Sequence, residues 1–268
     1  MYKLVWDQPQ EKKYETGVDQ GVLYPYIDGA PGPGVAWNGL TSVSESPEGA
    51  EPTAIYADNI KYLTLRSVEN FKGTIGAYMY PDEWMACDGS VEPVTGLSIG
   101  QQTRKMFGLS YRTKIGNDEE FDDYGYKIHM VYGATASPSE KEYNTINDSP
   151  EASELSWEFE TNPVKIAGYK PCAHLIADSS KLTEAKMALL ESVLYGIDTA
   201  SIQEYSTTNT YNIGDMCKKT TAGSPANVAY YRCNTASTTG EWDSSKWDVI
   251  SDTGPRLPMP ADIITLLS

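Results

Sequence analysis

"ELSWEFETNPV", residues 154–164, alternates without a break: Leu155, Trp157 and Phe159 fall on one side, and Glu154, Ser156, Glu158 and Glu160 on the other. Successive side chains of a strand point to opposite faces, so the pattern predicts a strand with one face in a core and the other acidic and wet. The same period extends outward. In "TAIYADNIKYLTLR" (53–66) Ile60, Tyr62, Thr64 and Arg66 alternate with Lys61, Leu63 and Leu65. "GTIGAYMYPDEW" (73–84) is rich in β-branched and aromatic residues and stops at Pro81. "RKMFGLSYRTKIG" (104–116) and "YGYKIHMVYGATA" (124–136) repeat the pattern before "SPSEKEYNTINDSP" (137–150) breaks it.

One stretch has helical spacing. Leu182, Ala185, Leu189, Leu190, Val193 and Leu194 form a stripe suited to packing on a sheet, with Asp178 to Ser180 placed to cap its start and Gly196 its end. Residues 1–200 therefore read as a mainly β body with one packed helix. Within them, "NGLTSVSESPEGAEPTAIYADN" (38–59) reads as a projecting hairpin: a strand over Leu40 to Ser44, a turn over Ser46 to Gly49, and a return over Thr53 to Tyr56. Pro47 and Pro52 lack ladder donors, which argues against a place in mid-sheet. Leu40, Val43, Ile55 and Tyr56 are its candidate contact residues.

From about residue 201 the composition shifts to Thr, Ser and Asn with aromatics, and "SDTGPRLPMPADIITLLS" (251–268) returns to apolar and proline character, expected as a C-terminal strand or tail. A small all-β domain inserted over 201–252 accounts for this, since surface loops tolerate insertion at little entropic cost. Tyr211 and Trp247 are assigned to its core, because so small a unit must spend some of its aromatics there. Trp242, in a polar turn, and Tyr230 are left as candidate carbohydrate-stacking residues. Cys217 and Cys233 are a candidate disulfide, opposed by synthesis in a reducing cytosol.

Composition excludes several functions. The chain of 268 residues carries a net charge of −16, so no basic groove is available to neutralise phosphates. The insert holds six acidic and four basic residues, which leaves fourteen of the sixteen net negative charges on the body. "MYKLVWDQPQEKKYETG" (1–17) has no apolar signal core, and no run reaches the length of a membrane span, so folding in a cytosol without a membrane partner is expected. No hydrolase, zincin, phosphate-loop or dinucleotide motif occurs. The four cysteines have no C-x-x-C spacing and His129 and His174 stand 45 positions apart, so neither an enzyme, a cofactor nor a metal is expected.

"GNDEEFDDYGYKIHM" (116–130) is the one strong cluster, with Asp118, Glu119, Glu120, Asp122 and Asp123 ahead of His129. A solvated loop between strands, with Phe121 and Tyr124 at its base, competes with a calcium loop and with catalysis through His129. The run lacks the ligand order of a calcium loop, and strand alternation puts His129 in an ordinary sheet position.

Six collinear segments carry a resemblance: "YETGVDQGVLYP" (14–25), "DNIKYLTLRS" (58–67), "GTIGAYMYPDEW" (73–84), "FGLSYRTKIGND" (107–118), "YGATASPSEKEYNTINDSPEA" (132–152) and "RLPMPADIITLL" (256–267). Together they resemble the major tail proteins of long non-contractile-tailed bacteriophages. The resemblance implies a β-sandwich or barrel flanked by an α-helix, forming hexameric rings that stack into a tail tube. Implied partners are further copies of the chain, the tape measure, tail tip and terminator proteins, and phage DNA in transit. The implied location is the virion tail, assembled in the host cytoplasm. Such a tube implies a net-negative bore, with the 116–123 run at the bore or a ring edge. "YNIGD", "YYRC" and "GEWDSSKW" within 205–250 resemble small chitin- and cellulose-binding modules, implying a glycan partner. "KKTTAGSPANVA" (218–229) departs from that pattern as an extended turn. A saccharide- or cell-surface-binding module is the competing reading.

Overall fold

The computed structural model describes the chain except at residues 1, 2, 10, 50, 66–68, 144, 146–151 and 223–226. Positions 144 and 146–150 of the 137–150 break and the middle of the 218–229 turn therefore lie outside the described residues. In chain order the elements are β1 (Tyr14–Ile27), β2 (Ala30–Pro31), β3 (Val35–Ala36), β4 (Leu40–Glu45), β5 (Thr53–Ala57), β6 (Ile60–Leu65) and β7 (Lys72–Ala77). After the one-turn helix α1 (Trp84–Cys87) come β8 (Val91–Val94), β9 (Leu97–Ile99), β10 (Phe107–Asn117), β11 (Phe121–Ala136), β12 (Leu155–Thr161) and β13 (His174–Asp178). Helix α2 (Glu184–Leu194), strands β14 (Met216–Thr221), β15 (Asn227–Cys233) and β16 (Trp247–Ile250), and helix α3 (Pro260–Leu267) follow. The protein is mainly β, with one large antiparallel sheet, small separate sheets and few short helices.

Strand β12 does what its alternation requires. Leu155, Trp157 and Phe159 are buried, their acidic neighbours are exposed, and Trp157 sits opposite Ile75 of β7. The large sheet runs β2-β1-β10-β11-β12-β7-β4, with β13 on β11 and β3 on β1. Because β3 pairs with β1 while β4, three residues later, pairs with β7, the chain itself carries the sheet from one end back to the other. The Trp37 amide donates to the Gly21 carbonyl (2.8 Å) at this crossing. A Cβ on Gly21 would sit 3.0 Å from Leu40, so the close approach uses the missing side chain. Inside the curl, Trp37, Trp84 and Trp157 meet with ring centroids 4.7–5.9 Å apart, and Leu23, Ile75 and Phe107 fill in around them. On the other face Tyr24, Ile128, Met130 and Tyr132 pack against α2 and α3. Gly133, at φ +60°, resets the alternation so that Val131 and Ala134 both face inward; a Cβ there would lie 2.5 Å from the Asn162 carbonyl oxygen.

Three expectations are corrected. Helix α2 begins later than the residues proposed to cap it: Thr183 is the N-cap and accepts from the Lys186 amide (3.4 Å). Asp178 ends β13 and accepts from the Ser180 amide, turning the chain instead. The buried stripe is Met187, Leu190 and Leu194, while Gly196 does close the helix at φ +83°. The C-terminal segment is helix α3, with Pro260 in its first turn and Ile263 in the core; proline there loses no helical hydrogen bond, a start signal overlooked in "PMPADIITLL". The 38–59 hairpin does not form either. β4 joins the large sheet, Val43 opposite Ile75, and β5 turns at Asp58 and Asn59 (φ +51° and +63°) to pair with β6. A two-residue turn with both residues left-handed is the shortest way to satisfy β5, and Pro47 and Pro52 fall in the connection before it.

Strands β14, β15 and β16 make a separate sheet over a small core of Tyr211, Cys217, Cys233 and Trp247, as the assignment of Tyr211 and Trp247 anticipates. The two ends of this unit meet: the Ile197 amide donates to the Thr253 carbonyl (2.9 Å). Adjacent ends are what lets a unit sit in a loop without disturbing the surrounding fold. No helix among the described residues is long and apolar enough to cross a membrane.

Candidate functional site

Among the described residues the β5–β6 hairpin pairs with no other strand, and nor does β8–β9. On β5–β6, Tyr56 and Tyr62 are each 69% exposed, Ile60 66% and Leu65 55%. Val91, Val94, Leu97 and Ile99 are likewise exposed along β8–β9. A two-stranded ribbon is marginal in water, and grouped apolar side chains on it mark an interaction surface. Of the four residues predicted to share one hairpin, Ile55 and Tyr56 lie on this ribbon. Leu40 and Val43 are in β4 instead, packed against the inner core.

The acidic run forms the tip between the paired strands β10 and β11, the latter the longest strand among the described residues. Buried Asn117 organises it: its Oδ1 accepts from the amides of Glu119 (3.0 Å) and Glu120 (2.5 Å). Asp122 accepts from the Tyr14 hydroxyl (2.9 Å). Phe121 does not anchor the base, since it is 71% exposed at φ +53°. Tyr124 is held through its hydroxyl by Lys13. Among the described residues the run supplies no converged set of three ligating side chains, and His129 is eleven residues beyond Asp118 on a buried face.

In the small sheet, alternation along β15 puts Tyr230 and Tyr231 on opposite faces, so Tyr230 and Trp242 do not form one platform. Trp242 is half-buried, stacked on Trp247 (centroids 5.1 Å, 16°) with Tyr205 and Tyr231 at its edges. The Lys219 ammonium lies 4.1 Å from its ring centroid. Tyr230 shares its face with Arg232, which donates to Ser192 of α2. The Cys217–Cys233 disulfide is not formed: both thiols are free and buried. Cys217 stands opposite Tyr231, which makes Cys233 a diagonal neighbour at roughly 7–8 Å rather than the ~3.5–4.5 Å between Cβ atoms that a disulfide needs.

The sequence offered no local signal for the remaining cluster. β13 pairs with β11 so that His174 lies opposite Val131, two residues from His129, and the inner face then carries both rings. The curl brings Glu45, the last residue of β4, over them. His129 Nδ1 is 3.1 Å from Glu45 Oε1 and 3.2 Å from His174 Nε2, and His174 Nε2 is 3.7 Å from the same carboxylate oxygen. Tyr111 stacks on His129 (4.6 Å, 7°) and donates its hydroxyl to Glu45 (2.6 Å); Phe71 packs on His174 (4.4 Å). The far nitrogen of His129, Nε2, meets Thr113 Oγ1 at 3.0 Å and Glu15 Oε1 at 3.5 Å. The inside of the curl thus has an apolar floor and a polar mouth, with His129 buried and Glu45 at the solvent edge.

Electrostatics follow the geometry. The hydrogen bond from His129 outweighs burial and, with that from Tyr111, holds the Glu45 carboxyl down at about 2. Burial pushes the His174 imidazole down to about 4, against the pull of Glu45. Burial would raise Glu15, but its hydrogen bonds from Lys127 and Thr113 prevail and lower it. Both carboxylates therefore stay ionised over a neutral His174 ring near pH 7.

No protein-family model and no curated protein matches the chain.

Proposed function

We propose that the protein is a structural subunit that polymerises as stacked hexameric rings into the tail tube of a long-tailed bacteriophage, the conduit for DNA ejection. The observation that carries this reading is the β5–β6 ribbon. Among the described residues it pairs only with itself, yet it holds Tyr56, Ile60, Tyr62 and Leu65 in water, a surface that costs free energy until another subunit covers it. The resemblance carried by the six collinear segments suggests the kind of assembly, and a large curled antiparallel sheet flanked by helices is compatible with a wall of the sandwich or barrel kind. The acidic β10–β11 tip suits a ring edge or bore, where a passing polyanion must not be held. The inserted unit, with its ends joined at Ile197 and Thr253, suits decoration of the outer wall.

Saccharide binding is the weaker reading. Trp242 is already stacked on Trp247 and has the Lys219 ammonium over its ring, so a sugar ring would have to compete with them for its faces. Negative-stain images of the concentrated protein test the main reading, with stacked rings as the expected result. Phage particles that keep tails of normal length after deletion of this gene would overturn it.

A further inference from the structure

We propose that Glu45, His129 and His174 form a binding site for one divalent transition cation of the zinc class, held through Glu45 Oε1, His129 Nδ1 and His174 Nε2. Three observations carry it. First, the donor atoms already form a triangle with sides of 3.1, 3.2 and 3.7 Å. Metal–nitrogen and metal–oxygen bonds of ~2.0–2.2 Å in tetrahedral array require donor separations of roughly 3.3–3.6 Å, so little movement is needed to receive an ion.

Second, the far side of His129 has the support that metal-binding imidazoles have. Nε2 faces the Thr113 hydroxyl and the Glu15 carboxylate, leaving Nδ1 turned toward the cluster. Glu15 is in turn fixed by Lys127, and Glu45 by Tyr111.

Third, hydrogen bonds alone satisfy the three contacts poorly. If Nδ1 of His129 carries a hydrogen, that single hydrogen faces two acceptors, Glu45 Oε1 and His174 Nε2. If it does not, its lone pair faces a carboxylate oxygen at 3.1 Å. A hydrogen on His174 Nε2 relieves the ring-to-ring contact only in the second case. A cation accepts all three lone pairs at once. Two imidazole nitrogens and one carboxylate oxygen favour zinc, cobalt or nickel over calcium and magnesium, which take oxygen-rich sets. Glu45 at the solvent edge leaves an entry path and a fourth position for water.

The ligands come from β4, β11 and β13, so the ion would pin the end of β4 to the two strands it faces across the curl. The site is independent of tube formation: it is complete within one subunit, and its test does not read assembly.

The full-length protein is dialysed against zinc, and bound metal is counted by mass spectrometry, with cobalt used for visible ligand-field spectra. One ion per chain is expected, with a low-coordinate cobalt spectrum. His174→Gln and Glu45→Gln should lower affinity at least a hundredfold and abolish that spectrum. Glu15→Gln should lower it roughly 10- to 100-fold by releasing the far side of His129. Asp122→Asn, on the acidic tip, should bind as the parent does. Less than one ion per chain in the parent, or unchanged binding by His174→Gln and Glu45→Gln, overturns the site. X-ray absorption on the zinc-loaded parent gives a readout that needs no variant: two imidazoles per zinc are expected, and their absence is equally decisive.

Discussion

Replacing Tyr56, Ile60, Tyr62 and Leu65 together by serine should leave the subunit folded and cripple its self-association. Fully burying one large apolar side chain is worth about 1.5–3 kcal/mol. These four retain 55–69% of their exposure in the free subunit, so covering the remainder is worth roughly 1–2 kcal/mol each, or about 4–8 kcal/mol for the ribbon. Association offsets much of that through lost motion and ordering, and buried area never converts whole into affinity. Even a quarter of it, ~1–2 kcal/mol, changes an association constant by a factor of about 5–30. Among the described residues the large sheet makes no ladder with β5 or β6, so the thermal midpoint should move by no more than a few degrees. Sedimentation velocity over a concentration series, with electron microscopy at each step, measures the concentration at which rings or tubes appear. A variant that assembles at the parent's concentration refutes the role assigned to this surface.

Zinc at about 100 times its dissociation constant should stabilise the subunit by ~2.7 kcal/mol, a rise of several degrees in melting temperature that His174→Gln removes; calorimetry showing no rise in the parent contradicts the metal site. Trp157→Ala, at the centre of the inner core, should cost about 3–5 kcal/mol in chemical denaturation, and a loss below ~1 kcal/mol would mean the curl is not packed around it. Joining Ile197 to Thr253 through a short linker in place of 198–252 should leave body and tubes intact with a smoother outer surface, because those two residues are already hydrogen-bonded; loss of the folded body by circular dichroism would count against an insertion. Changing Asp118, Glu119, Asp122 and Asp123 to lysine should preserve the β10–β11 tip, which Asn117 organises, yet slow DNA ejection, most at low salt; ejection unchanged at every ionic strength removes the electrostatic role.

Local patterns were legible where one chemical period extends over enough residues to dominate its surroundings. Leu155, Trp157 and Phe159 reveal both the strand and its buried face, and Tyr211 and Trp247, assigned to a core, lie in the small core beneath the β14–β16 sheet. Alternation along β15 also separates Tyr230 from Tyr231, which packs at the edge of Trp242. Helix α3 was within reach of the sequence, announced by Pro260 and by Ile263, Leu266 and Leu267 at helical spacing.

Partner choice was not legible. β4 has a period of two whether it pairs with β5 or with β7, and only the curl decides that it closes against β7 and frees β5 for β6. The same closure assembles the mouth of the core. His129 and His174 are 45 positions apart with no ligand spacing, and Glu45 lies far from both in an unremarkable polar stretch. They meet because β11 pairs with β13 in one register and β4 crosses over that end. The sequence by itself determined which faces are apolar, since that is a property of neighbouring residues. Which faces meet, and therefore which distant side chains share a site, was decided by long-range pairing alone, because contacts between remote strands depend on how the whole sheet closes and leave no trace in local spacing.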